Sequence, residues 1–280
     1  MSAQAAPRGR LQAFAGIALV TIIALLALIS LVWTPHGGVA GSATPLAEPG
    51  AVHWLGTDQT GRDVVSALMS GTLMSLLLGW FATLVSLVIG IPAGVLLATR
   101  FGAGSQRQLV LVGILPAALC LGAVFGGLRM QSTLSVFLAI GLPGAIAAAV
   151  AARAIVSPLL AADYVSAARL AGLGWLEAGQ RHVVPLVMPQ LIALGMELLA
   201  TAMLVEVTLS FAGLGVDGTG LSLGTMLRDG QQLAQVRPLL VIAPGAVALV
   251  TALALLIAAG GLRAGGHSAA GHQGAQRAAA

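Results

Sequence analysis

The side chains that could do covalent chemistry are few, and their spacing does not suit it. All 13 basic residues are Arg and the chain contains no Lys. It therefore has neither the Lys of a phosphate-cradling loop nor a Schiff-base amine, which argues against ATP hydrolysis by the chain itself. Five His are present, but no His-Glu-x-x-His occurs, and His267 and His272 lie in an Ala- and Gly-rich tail. Neither a metal site nor a bound cofactor is expected. The single Cys120 stands in an apolar run with no nucleophile motif around it. It reads as a small buried hydrophobe, and an intramembrane hydrolase is disfavoured. Glu197 and Glu206 both fall within the apolar stretch 186–211, where a carboxylate is costly unless something compensates it. Nine residues apart, they point to opposite sides of an ideal helix and do not form an acid–base pair. Glu206 is open to two readings, a functional intramembrane group or a brace for the Gly-rich turn that follows it.

The elements that must position these groups are membrane helices. Of 280 residues 58% are hydrophobic and 8% charged, against about 25% charged in an ordinary soluble domain. The mean hydropathy of +0.98 makes the bilayer the expected solvent. Thirty-seven Gly with only 4% aromatics suit close helix–helix packing. The net charge of +4 does not indicate nucleic acid, because the Arg residues are scattered singly and form no basic stripe.

Six stretches reach the roughly 20 residues a span needs: Leu11–Trp33, Leu73–Ala98, Leu109–Leu128, Thr133–Ala152, Leu186–Phe211 and Pro238–Leu262. The first follows Arg8 and Arg10 as a signal peptide would, but its 23 residues exceed the about 7–15 of such a core, so it reads as a retained span. One side of the resulting topology holds Arg8, Arg10, Arg100, Arg107, Arg153, Arg169, Arg181, Arg263 and Arg277. The other holds Arg62, Arg129, Arg228 and Arg237. The positive-inside rule then places both termini in the cytoplasm of a multi-pass protein of the cell (inner) membrane. The expected organisation is 1–33 as N-terminus and first span, 34–72 as an extracytoplasmic segment, 73–262 as the core, and 263–280 as a disordered cytoplasmic tail. Gly90/Gly94 and Gly122/Gly126 form Gly-x-x-x-Gly pairs, which permit close backbone approach. Pro92, Pro116, Pro143 and Pro244 sit inside apolar runs and predict kinks.

The loop 153–185 is the most informative segment. Ser157-Pro158 reads as a helix start, with a good helical run to Ala171 and Gly172 at its C-terminal end. A second short helix fits Trp175–Val183 and stops near Pro185. Tyr164, Ala167, Ala168 and Ala171 share one small, apolar face. Such an elbow suits insertion into a partner's groove; an interfacial helix lying on lipid is the other reading. Outside, Asp58, Arg62 and Asp63 precede a span. Either they form a surface for a partner or a gate, or Asp58 caps the following helix with Arg62 as its i+4 partner.

Ser166-Ala167-Ala168, then Gly172, then Arg181-His182-Val183-Val184-Pro185 resembles the Glu-Ala-Ala loop of ABC importer permeases. His53-Trp54-Leu55-Gly56-Thr57-Asp58 with Gly61-Arg62-Asp63-Val64 resembles the signature before the second span of dipeptide, oligopeptide and nickel permeases. Glu206-Val207-Thr208-Leu209-Ser210-Phe211-Ala212-Gly213-Leu214-Gly215 resembles the end of their fifth span. The chain departs from the pattern at Ser166, where Glu is usual, at Leu223, where Trp is usual, and across 105–130, which lacks the usual acidic residues. The resemblance implies an all-α transmembrane fold of about six spans, with a cytoplasmic coupling elbow between spans four and five that would use Asp163, Tyr164, Ser166, Ala167, Ala168, Gly172, Arg181, His182 and Pro185. It implies a second homologous permease subunit, cytoplasmic ATP-binding subunits and an extracytoplasmic solute-binding protein, with peptides or a nickel complex as solute. A self-contained secondary transporter or channel is the competing class, but no internal repeat is evident and mid-span charges are few.

Overall fold

In hydrocarbon every backbone N–H and C=O must be paired internally, so apolar segments of this length fold as helices. The computed structural model describes residues 5–35, 44–101, 117–125, 133–160, 184–215 and 221–278. In chain order the helices are α1 (Ala5–Ile29), α2 (Val64–Phe101), α3 (117–125), α4 (Thr133–Leu160), α5 (Val184–Phe211), α6 (Leu223–Gln231) and α7 (Leu239–Ala278). Five segments are long and apolar enough to cross a membrane: Leu11–Ile29, Val64–Arg100, Thr133–Leu160, Val187–Phe211 and Leu239–Ala264. They match five of the six expected spans. The remaining one, 109–128, is described only over 117–125. Asp163, Tyr164, Ser166, Ala167, Ala168, Gly172, Arg181 and His182 lie outside the described residues. Pro185 falls in the first turn of α5, where its missing N–H removes no helical hydrogen bond.

α4 is the central helix. Its small residues Ala147, Ala148, Ala151 and Ala152 are buried together with Val136 and Ile140 against α2 and α5. Gly90 and Gly94 of α2 face Ala145–Arg153 of α4, and the Ser86 hydroxyl donates across the same interface to the Gly141 carbonyl at 3.1 Å. α1 is peripheral: Gly16 lies on Ala254 and Ala258 of α7, and Ala13 lies on Gly261. Its Leu11, Phe14, Ile22 and Leu25 are exposed, as expected for a surface that meets lipid chains. α5 packs on α7 through Ala200, Ala252 and Leu255.

Three boundaries differ from those expected. α2 begins at Val64, nine residues before the apolar window that hydropathy marks, because a helix can run past its membrane-embedded part when its end is capped. Ser157-Pro158, expected to start a separate helix, lies inside α4, which continues to Leu160. Burial of the neighbouring Ile155 and Val156 holds those turns helical in spite of the proline. α7 continues to Ala278, where composition predicts a disordered tail; recurrent Ala, the strongest helix former, outweighs the scattered Gly there.

Candidate functional site

Two polar groupings stand out in this apolar bundle, one at the end that carries residues 44–63 and α6, the other between α5 and α7. At the first, residues 57–63 form a closed turn. Asp58 N donates to the Arg62 carbonyl at 2.9 Å. One carboxylate oxygen of Asp58 accepts from Thr60 N, Thr60 Oγ1 and Arg62 N, each at 2.8 Å. Thr57, buried beneath the turn, donates through its hydroxyl to the Thr44 carbonyl at 2.7 Å and accepts from Ala47 N at 2.8 Å. Gly56 adopts φ +77° with the Ala47 carbonyl where a Cβ would be, so a side chain there is excluded twice over.

The cap of α2 is Asp63, not Asp58. Asp63 Oδ2 accepts from Ser66 N and Ser66 Oγ at 2.9 Å, the N-cap to N3 spacing. Its other oxygen meets His53 Nδ1 at 3.0 Å. Asp58 is committed to its own turn, which ends before the helix starts, and the expected Asp58–Arg62 ion pair is not present among the described residues. Arg62 Nε is instead buried without a hydrogen-bond partner. It borders a cavity of about 80 Å3 lined also by Asp58, Gln59, Thr60, Met226 and Asp229. Gln59 Nε2 donates across the edge of this cavity to the Asp229 carbonyl at 2.9 Å. Arg237 ties Leu46 to the start of α7 through a 3.0 Å bond to its carbonyl.

Glu206 lies just below this layer and is fully buried inside the chain. Its Oε1 accepts from Ser210 Oγ at 2.7 Å, one helical turn along α5, at the start of the Gly-rich turn. Gly213 in that turn has φ +78°, Gly215 packs on Ser210, and Phe211 is exposed at the helix end. The hydroxyls of Ser75 on α2 and Ser222 before α6 also neighbour the Glu206 carboxyl. Gly220-Leu221-Ser222-Leu223-Gly224 has the spacing of a serine nucleophile elbow, which requires a strand before the serine and a His base. Ser222 instead caps a helix: its Oγ accepts from Thr225 N and the Thr225 side chain answers it in a capping box.

The second grouping was not visible in the sequence. Arg263 Nη1 of α7 forms an ion pair with Glu197 Oε1 of α5, so the cation that compensates Glu197 comes from the far end of the chain. We expect Arg263→Ala to destabilise the protein by about 2 kcal/mol, below the roughly 3–5 kcal/mol of a sealed pair, because 27% of the Arg263 side chain is open. Thermal unfolding in detergent checks this, and Glu197→Gln in the same background should recover most of the loss. An unchanged midpoint for Arg263→Ala would show that the pair contributes nothing.

A bundle of apolar helices around isolated polar groupings, with no cluster of three His, Cys, Asp or Glu among the described residues, defines a multi-pass helical membrane protein. No protein-family model matches the chain. It is 32% identical over 252 residues to the nickel transport system permease protein NikC of Escherichia coli (strain K12), covering 86% of this chain and 90% of that protein. It is 34% identical over 214 residues to the di/tripeptide transport system permease protein DppC of Pseudomonas aeruginosa (strain UCBPP-PA14), covering 75% and 70%. It is 28% identical over 224 residues to the oligopeptide transport system permease protein OppC of Mycobacterium bovis, covering 78% and 76%. The chain belongs to this family of ABC transport-system permeases.

Proposed function

We propose that this chain is one membrane-spanning permease subunit of an ABC importer for a small solute, either a peptide or a chelated nickel ion. The observation that carries this is the end-to-end match to the nickel permease, which spans 90% of that protein rather than one shared motif. In this reading a second homologous permease completes the path, cytoplasmic ATP-binding subunits drive it, and an extracytoplasmic binding protein delivers the solute. Residues 109–128 supply a sixth span, and the loop 153–185 is the elbow that the ATP-binding subunits move. The 44–63 cap and α6 then face the extracytoplasmic side. The Gly56–Asp63 and Glu206–Gly215 segments shape the outer end of the subunit. Alternating access follows if ATP-driven closure favours one of two global arrangements of the spans.

The test is reconstitution. The purified chain alone should show no ATP turnover. The complex with its ATP-binding subunits and binding protein should hydrolyse ATP and accumulate solute in vesicles. Solute accumulation without any ATP-binding subunit would overturn the reading.

The orientation has its own test, in a Cys120→Ala background. An impermeant thiol reagent should label Ser42→Cys from outside intact cells and should not label Ser268→Cys until the membrane is opened. The reverse pattern would invert the topology.

A further inference from the structure

We propose that Glu206 is a positioning residue that makes α6 move as one body with α2 and α5, so that the outer helix follows the state of the membrane core. This deepens the permease reading and rests on it, since that reading is what places α6 on the extracytoplasmic face. The residue cannot act by touching solute in this arrangement, because its side chain is 0% exposed. What it touches is the junction of three elements.

The Ser75 hydroxyl of α2 accepts a hydrogen bond from Leu223 N, the first residue of α6, at 3.1 Å. The Ser222 hydroxyl accepts from Thr225 N, in the first turn of α6, at 3.3 Å. Each serine thus spends a lone pair on the start of α6 and keeps its own proton to donate. Glu206 Oε2 is a buried acceptor with no formed hydrogen bond among the described residues, and both hydroxyls lie near the Glu206 carboxyl. A small approach of α6 or α2 fills that acceptor; a small retreat leaves it empty. An unfilled acceptor in a low-dielectric interior is costly, so the cluster biases α6 towards the drawn-in position.

Packing points the same way. Gly224 lets α6 press on α5 so closely that a Cβ there would stand 2.6 Å from Ser210 Cβ and 3.0 Å from Val207 Cα. The other end of α6 is fastened to the cap through Gln59 and the Asp229 carbonyl. α5 itself runs unbroken from Val184, at the close of the proposed coupling loop, to Phe211. Glu206 therefore sits about 33 Å along this one helix from that loop, at 1.5 Å per residue, with Pro189 near the loop end.

The experiment uses the full complex in lipid nanodiscs, comparing Glu206→Leu with Glu206→Gln at matched permease levels. For Glu206→Leu we expect basal ATP turnover to be retained while the increment on adding loaded binding protein falls about tenfold, the scale of leaving a buried donor or acceptor unpaired. In a Cys120→Ala background, Asp229→Cys on α6 should react with a thiol reagent several times faster when Glu206 is Leu. Gln keeps an acceptor and should restore both readouts to within about threefold of wild type. An undiminished increment or an unchanged labelling rate in Glu206→Leu overturns the proposal. So do Leu and Gln variants that lose basal and stimulated turnover in the same proportion. If Glu206→Leu fails to accumulate, Glu206→Met, which removes the carboxyl and leaves the Ser75 and Ser222 contacts to α6 in place, must show the lost increment and faster labelling, and wild-type behaviour there overturns it. A wild-type complex with no ATP-driven uptake marks failure of the permease reading instead.

Discussion

Gly94→Leu is expected to leave little folded protein in the membrane. At this level α2 lies so near α4 that a Cβ on Gly94 would meet the Ala149 carbonyl oxygen and stand 2.7 Å from Ala152 Cβ and 3.0 Å from Arg153 N. Gly90, one turn earlier, faces α4 in the same way, with the Ala145 carbonyl oxygen 2.6 Å and Ala149 N 3.0 Å from where its Cβ would be. Most of these are backbone atoms that no rotamer change can move, so a side chain forces the helices apart. Separation unpacks Ala148, Ala151 and Ala152, all 0% exposed, and strips Ser86 from the Gly141 carbonyl. The expected cost is at or above the upper end of the about 1–3 kcal/mol seen for over-packing. Among lipid chains close packing, not exclusion of water, holds helices together, so the lost contacts have no substitute. Gly94→Ala should be milder but in the same direction. Fluorescence-detected size exclusion and the melting midpoint of the extracted protein measure it. Wild-type yield and midpoint for Gly94→Leu would mean that the two helices are not held at this distance.

The Gly90/Gly94 contact was legible because hydropathy marks the spans and small residues four apart mark a face that another helix can approach. The identity of the partner helix was not legible, since the pattern carries no information about α4. The same division runs through the polar residues. Asp63-x-x-Ser66 is a local capping signal and could have been read, yet Asp58 competes with it for the same role. Only the closed turn at 58–62, which uses up the Asp58 carboxylate, decides between them. Glu197 looks uncompensated within its own helix because Arg263 reaches it from α7. Glu206 likewise has one hydrogen-bond partner that is visible locally, Ser210 at i+4, and two neighbours that are not, Ser75 and Ser222. Ser157-Pro158 shows the opposite failure: a valid start signal overridden by burial of the turns around it. Signals that act within one helical turn could be read from the chain. Compensation of a buried charge comes from another helix, and no spacing rule reports it.

Ala168→Trp and Gly172→Val are expected to abolish solute uptake while leaving insertion into the membrane intact. Both positions belong to the loop 153–185. On the helical pattern that the sequence predicts, Ala167, Ala168 and Ala171 share a face with no side chain larger than a methyl, beside Tyr164. A face that smooth fits a helix pressed into a groove, where a Trp adds on the order of 150–250 Å2 of surface with nowhere to go. Gly172 stands at the predicted end of the first helix of the proposed elbow, the position that favours positive φ, where a β-branched residue would strain the backbone. Coupling free energies between sites are typically about 1–3 kcal/mol, or roughly 5–150-fold, so losing the docked elbow can remove essentially all ATP-driven transport. A helix that merely lay on the bilayer surface would behave differently, because Trp is well suited to the lipid–water boundary. The deciding measurement is copurification of the ATP-binding subunits together with solute uptake, at equal amounts of permease in the membrane. Loss of both in Ala168→Trp, with the Gly172→Val variant affected in the same order, is the expected result. Normal docking and uptake in both variants would show that ATP hydrolysis reaches the spans by some element other than this loop.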